Sequence, residues 1–247
     1  VGSEMCIRDR ALDIASHYVT GPLFTPPSIA SENGTQGTIQ LPGSQGGADV
    51  QGAAFDPETG MLYIPSITSP FVADVLPGDP EVTNLSYTKG SRRWLAGPQG
   101  LPLFKPPYGR ITAINMNTGE HEWMVPNGWG PVDNPAIAHL DLGKLGVPGR
   151  PSPLLTKSLL FIGEGMTNQR RGGRIPPDMP IEIATNSGGP WFRAYDKNSG
   201  AVVWEIEMEA GPTNPPVSYV YNDRQYLLVA IGDSRHAPEI VAFALPE

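Results

Sequence analysis

Two stretches decide the fold: Gly109 to Val125, GRITAINMNTGEHEWMV, and Pro190 to Ile206, PWFRAYDKNSGAVVWEI. Both carry Ala-x-(Asn/Asp)-x-x-(Thr/Ser)-Gly-x-x-x-Trp, through Ala113, Asn115, Thr118, Gly119 and Trp123 in one and Ala194, Asp196, Ser199, Gly200 and Trp204 in the other. β-prone runs flank a corner of Asn-Thr-Gly or Asn-Ser-Gly. Glycine there tolerates the positive φ that reversal of the chain demands, so each copy predicts an antiparallel hairpin. The Asn or Asp side chain can bond the backbone of its own turn. The Trp is a flat anchor that can pack between neighbouring sheets with its N–H satisfied at an edge.

A second repeat precedes each hairpin, as an extended run, a polar turn and a β-rich strand: Asp56 to Ser66 (DPETGMLYIPS), Leu154 to Glu164 (LLTKSLLFIGE) and Tyr221 to Ile231 (YNDRQYLLVAI). Glu239 to Leu245 (EIVAFAL) then begins a third hairpin without its second strand. A four-stranded meander repeated in tandem is the blade of a β-propeller. The expectation is an all-β partial propeller of about three four-stranded blades, the last lacking its outer strand. In a closed ring that strand would come from the protein's N-terminal end. Long insertions rich in Pro, Gly, Asn and Arg interrupt the meander at Thr68 to Tyr108 and Met166 to Gly189, and loops of such length are usually functional or disordered. Arg170, Arg171 and Arg174 in the second could meet an anion, although a solvated loop is the plainer reading.

Composition agrees with many short strands: of 247 residues, 29 are Gly and 28 Pro, while 39% are apolar. A net charge of −8 argues against nucleic-acid binding, which needs clustered Lys and Arg. No window approaches the roughly 18 consecutive apolar residues that span a bilayer. Val1 to Arg10 (VGSEMCIRDR) shows neither strand alternation nor an apolar signal region, and resembles translated sequencing-adapter sequence. Residues 1–10 are therefore set apart from a propeller portion at 11–247. That segment holds Cys6, the single cysteine, so thiol chemistry and Cys-based metal sites are excluded for the remainder.

Other chemistries fit less well. Gly232-Asp233-Ser234 with His236 superficially suggests an esterase nucleophile, yet a strand follows where a helix would be required. His17, His121 and His139 have no metal-ligand spacing among them. Gly46, Gly47 and Gly52 precede no helix of a dinucleotide fold.

The Trp repeat resembles the tryptophan-docking motif of pyrroloquinoline-quinone (PQQ) dependent dehydrogenases. More specific are Thr20 to Ser28 (TGPLFTPPS), Gly43 to Pro57 (GSQGGADVQGAAFDP), Gly97 to Arg110 (GPQGLPLFKPPYGR) and the ending from Gln225 to Pro246. In order and spacing these are similar to the C-terminal portion of the glucose-dehydrogenase-like branch of quinoproteins, over essentially Ala11 to Glu247. That resemblance implies an eight-bladed parent that oxidises a sugar or alcohol CH–OH group by hydride transfer to PQQ. A calcium ion polarises the quinone and an Asp serves as base. It implies electron delivery to a respiratory quinone or cytochrome, and a periplasmic location with an inner-membrane anchor in a preceding region.

In the family the base and metal ligands lie upstream of the segment matching Thr20, so none is assigned here and the fragment alone is expected to be inactive. Two residues carry over as cofactor-binding: Asp49, where the family usually has Asn followed by Trp and this chain has Asp49-Val50, and His236, in a loop where family members often place Gly-Gly-His. A carboxylate at Asp49 would sit poorly beside an anionic cofactor unless paired. The alternative from another class is a non-catalytic propeller that scaffolds the bacterial envelope. The long Pro-rich insertions and TGPLFTPPS favour the enzyme.

Overall fold

The computed structural model describes residues 2–31, 34–43, 46–48, 51–90, 95, 97–165, 188–233 and 236–245. In chain order the elements are α1 (Gly2–Ser16), β1 (Ser28–Ile29), β2 (Thr38–Gln40), β3 (Ala54–Asp56), β4 (Met61–Ile67), β5 (Phe71–Pro77), β6 (Tyr87–Lys89), β7 (Gly109–Asn115), β8 (Glu120–Pro126), β9 (Pro153–Leu155), β10 (Leu159–Gly163), β11 (Trp191–Asp196), β12 (Val202–Glu207), β13 (Val217–Tyr221), β14 (Arg224–Ile231) and β15 (Glu239–Ala244). Three antiparallel meanders follow one another, β3-β4-β7-β8, β9-β10-β11-β12 and β13-β14-β15. These are the first, second and third blades, and the third is one strand short, as the repeat predicts.

The two hairpin copies match in register as well as in residue type. Ala113 pairs with Trp123 and Ala194 with Trp204, and a β-bulge follows each pair, between Ala113 and Ile114 and between Ala194 and Tyr195. A small residue thus stands opposite each indole. At the corners Asn115 Oδ1 accepts the Asn117 N–H at 3.0 Å, and Asp196 Oδ1 accepts N–H bonds from Asn198 and Ser199. The hydroxyl of Ser199 and these backbone donors hold the Asp196 carboxyl below its ordinary value. Gly119 and Gly200 close the turns at φ +78 and +72.

Blades pack through alternating strand faces. Along β4 and β14 the buried positions recur every second residue, at Tyr63 and Ile67 and at Leu227, Val229 and Ile231. Tyr63, Ile111 and Ala113 of the first blade meet Leu160, Ile162 and Tyr195 of the second in one core. Phe192 of the second meets Leu227, Val229 and Ile231 of the third in another. Each large side chain so buried contributes about 1.5–3 kcal/mol.

One region differs from the sequence expectation. The first insertion is not an unbroken loop: β5 pairs in parallel with β1 and antiparallel with β2, and β6 adds to it, forming a small separate sheet. Val72 and Thr38 are fully buried there, and the Thr38 hydroxyl donates to the Pro26 carbonyl at 2.9 Å. Strands of two or three residues are too short for alternation to show in sequence. α1 runs across the boundary between Arg10 and Ala11 without a break.

Candidate functional site

In an antiparallel meander the second and fourth strands of a blade end on the same side. The C-terminal ends of β4, β8, β10, β12 and β14 therefore share one end of the blades, opposite the Gly119 and Gly200 turns. Both long insertions leave from that end, after β4 and after β10. Functional groups concentrate on such loops.

The predicted residue His236 lies there, in the loop from β14 to β15. Gly232 opens this loop; the His236 backbone N–H donates to Asp233 Oδ1 at 2.8 Å and the Asp233 N–H to the His236 carbonyl at 3.2 Å. The imidazole is about three-quarters buried. Its Nδ1 lies 3.7 Å from Glu209 Oε2 and its Nε2 lies 3.3 Å from Glu239 Oε1. Glu209 follows β12 of the second blade and Glu239 begins β15, so the loop brings together residues that sequence analysis did not connect. Asp49, the other predicted contact, lies outside the described residues, as do Val50, Ser234, Arg235 and the arginines at 170, 171 and 174.

A second polar assembly occupies the same end between the first two blades. Arg193 of β11 is fully buried and ion-paired at 2.8 Å with both Glu164, just past β10, and Glu205 of β12. Lys144, from the connection after β8, also reaches Glu205 at 2.8 Å. Tyr195 donates to Asn127 Oδ1 at 3.0 Å, and Asn127 Nδ2 donates to the Gly163 carbonyl at 2.8 Å. Glycines crowd Glu164: a Cβ at Gly128 would lie 2.7 Å from its Oε1 and one at Gly189 1.9 Å from its Oε2.

Burial raises the Glu164 carboxyl above its usual range, only partly countered by Arg193. Burial works against the Arg193 charge, but Glu164, Tyr195 and Glu205 together more than offset this and hold the guanidinium above its ordinary value. Burial likewise opposes ionisation of Glu205, yet bonds from Lys144 and Arg193 bring its carboxyl below the usual value. No spacing rule joins these residues. The signal available in sequence was a comparison of the copies, since Arg193 and Glu205 stand where the first hairpin has Thr112 and Met124.

A tricyclic anionic quinone would need a slot of several hundred Å³, within the roughly 300–1,000 Å³ usual for small-molecule sites, and surroundings that tolerate negative charge. Two cavities lined by described residues are smaller than this. A cavity bounded by Gln51, Ser66 and Arg150 encloses about 10 Å³, room for one water. Another, beside Trp129, encloses about 190 Å³ and carries the carboxylates of Asp133 and Asp141. His236 itself is bracketed by Glu209 and Glu239. The arrangement at His236 suits a hydroxyl group or a cation better than a carboxylated quinone.

Residues 2–227 match the family described as "PQQ: Glucose/ethanol/alcohol dehydrogenase, beta-propeller domain". Quinoprotein glucose dehydrogenase A of Acinetobacter calcoaceticus is 24% identical over 246 residues, covering 91% of this chain and 27% of that protein. The glycerol dehydrogenase large subunit of Gluconobacter thailandicus is 26% identical over 257 residues, covering 91% and 31%. A solved europium-containing methanol dehydrogenase shares the fold with a TM-score of 0.50 at 21% identity, over 78% of this chain and 26% of its own. The chain thus spans under a third of the length of these relatives.

Proposed function

Because the chain belongs to the PQQ glucose/ethanol/alcohol dehydrogenase β-propeller family, we propose that it is part of an oxidoreductase that oxidises a sugar or alcohol CH–OH group with PQQ as hydride acceptor. The observation that carries this is the family match over residues 2–227, which takes in both Trp hairpins and the insertions at the loop-bearing end. PQQ, when bound, supplies the two-electron acceptor, and calcium the Lewis acid. By the family resemblance the calcium ligands, the catalytic base and most cofactor contacts belong to sequence N-terminal of Thr20, and Asp49 would approach the cofactor from this portion. Electrons pass on to a respiratory quinone or cytochrome, and the protein works in the periplasm.

Within that enzyme His236 belongs to the substrate side. An imidazole held by its own loop can donate to or accept from a sugar hydroxyl, while adjacent carboxylates accept further hydroxyl protons. The test is reconstitution of the full-length protein with PQQ and calcium. It should reduce an artificial electron acceptor when given an aldose or a simple alcohol, while residues 11–247 alone should not. In the full-length enzyme His236→Asn should raise KM with a smaller change in kcat, the pattern of lost uniform binding. A fall in kcat of several orders of magnitude would make His236 catalytic instead.

A further inference from the structure

We propose that the cavity beside Trp129 binds a small organic cation, a primary ammonium carried on a compact apolar body. The proposal goes beyond the dehydrogenase reading and does not rest on it. The cavity lies in the connection from β8 to β9, where the chain leaves the blade and returns. The Leu145 N–H donates to the Trp129 carbonyl at 2.8 Å and the Gly146 N–H to the Gly128 carbonyl at 2.9 Å, which closes the base of a loop. Within it the Asn134 carbonyl accepts the N–H groups of Ile137 and Ala138, both at 2.9 Å, and the Asn134 side-chain amide donates to the Gln99 carbonyl at 3.0 Å. A compact surface loop of this kind is usually packed by its own side chains. This one encloses about 190 Å³, more than the cavity of about 150 Å³ that admits benzene.

The lining selects the occupant. Trp129, Val132, Ile137 and Leu142 supply apolar walls, and the charged side chains among the lining residues are those of Asp133 and Asp141. Neither aspartate forms an ion pair with a described residue. A carboxylate only accepts hydrogen bonds, so the complementary group must donate, and two unpaired negative charges favour a donor that is also cationic. The indole already attracts an ammonium group, since Lys144 Nζ lies 5.1 Å from the Trp129 ring centroid. That lysine does not serve the aspartates, because its Nζ is held by Glu205 at 2.8 Å. Trp129 is 41% exposed and Leu142 52%, apolar surface that the body of an alkyl or aryl ammonium would take out of water. A neutral polyol would gain the hydrogen bonds but set its other hydroxyls against aliphatic walls. A hydrated metal ion would leave those walls uncovered.

The competing occupant is a neutral polyol held by the same acceptors. Ligand-observed NMR titration of the full-length protein with benzylammonium, and with benzamide as its uncharged counterpart, separates the two. Benzylammonium should bind with a Kd of about 1 mM, a strength open to a ligand of its size. Benzamide should bind about tenfold more weakly or less. Asp133→Asn and Asp141→Asn should each weaken benzylammonium by about fivefold, the effect of one charge at a solvated site, and Trp129→Ala by about tenfold. Asp223→Asn removes the same charge from an exposed turn of the third blade and should leave binding unchanged. The two asparagine variants of the loop alter exposed side chains and keep the test valid if Trp129→Ala fails to fold. Equal binding of benzamide, displacement of benzylammonium by an equal concentration of glucose, an affinity unchanged in both aspartate variants, or no binding at all overturns the site, whatever dehydrogenase activity the protein shows.

Discussion

Both blade junctions have an apolar core, but the first adds buried charge and hydrogen bonds to it and the second adds aromatic stacking. At the first junction Trp123 donates its indole N–H to the Lys197 carbonyl at 3.2 Å, while the Lys197 ammonium reaches Asp56 at 2.6 Å with both side chains buried. The Arg193 assembly lies toward the other end of the same junction. At the second junction Trp204 meets Phe243 edge-on at 5.5 Å, and Phe192 stacks on Phe243 at 6.1 Å. The Leu245 carbonyl, which matches Lys197 in the repeat, is taken by the Arg224 guanidinium of its own blade. For the Trp204 N–H no acceptor lies among the described residues. One motif therefore supports two kinds of contact. The indole ring is the common part, and the polar groups around it are particular to each junction.

The largest expected effect breaks the polar side of this contrast. Arg193→Met would leave the Glu164 carboxylate buried without its partner and should destabilise the full-length protein by about 3–5 kcal/mol. Adding Glu164→Gln should recover much of the loss, since the two are coupled. Denaturant unfolding of the single and double variants measures this, and a cost below about 1 kcal/mol for Arg193→Met would show that the assembly is peripheral to the junction.

Next in size is a paired test of the two turn glycines. A Cβ at Gly119 meets nothing within 4 Å, whereas one at Gly200 would lie 2.8 Å from the Trp123 ring. Gly119→Ala should cost the left-handed strain alone, about 1–2 kcal/mol. Gly200→Ala should add an overpacking cost of about 1–3 kcal/mol, because the indole must shift. Equal losses in thermal unfolding would mean that Trp123 does not dock on the turn as described.

A smaller difference should separate the two indoles. Trp123→Phe removes the bond to the Lys197 carbonyl and should cost about 1 kcal/mol more than Trp204→Phe. Smallest is a pH effect. The bond from Lys197, with help from Thr59, holds the Asp56 carboxyl below its ordinary 3.8. A depressed folded value means that this contribution is fully present above 3.8 and fades as the pH falls through the folded value. In Asp56→Asn the loss of stability on acidification below about pH 4 should be shallower than in the unsubstituted protein.

Much of this contrast was legible in sequence because the motif is local. Ala113, Asn115, Gly119 and Trp123 lie within one hairpin, and the period of the strands and the glycine corner fix their roles. Even the docking of a Trp N–H at a neighbouring edge follows from the size and polarity of indole. The Arg193 assembly was not legible, since Lys144 and Glu205 are 61 residues apart and follow no repeat. The same holds at His236, whose position in a loop over the blade end could be read from the strand before it. Glu209 and Glu239 became its neighbours only through packing of the third blade on the second. The small sheet around β5 escaped notice because β1 and β2 are too short to show a pattern.

The bulges after Ala113 and Ala194 bear on how such repeats diverge. Counting back from the corner, Asn115 faces Glu120 and Ile114 faces His121, so a regular ladder would set Glu122 opposite Ala113. The extra residue puts Trp123 there instead, and because side chains alternate faces, it also changes which surface of the sheet the indole emerges from. The three residues between Gly119 and Trp123 are thus a phase setting, whatever their identity. A lineage is free to lengthen the segments after β4 and β10 by dozens of residues, but the loss or gain of one residue between glycine and tryptophan would turn the anchor to the wrong side.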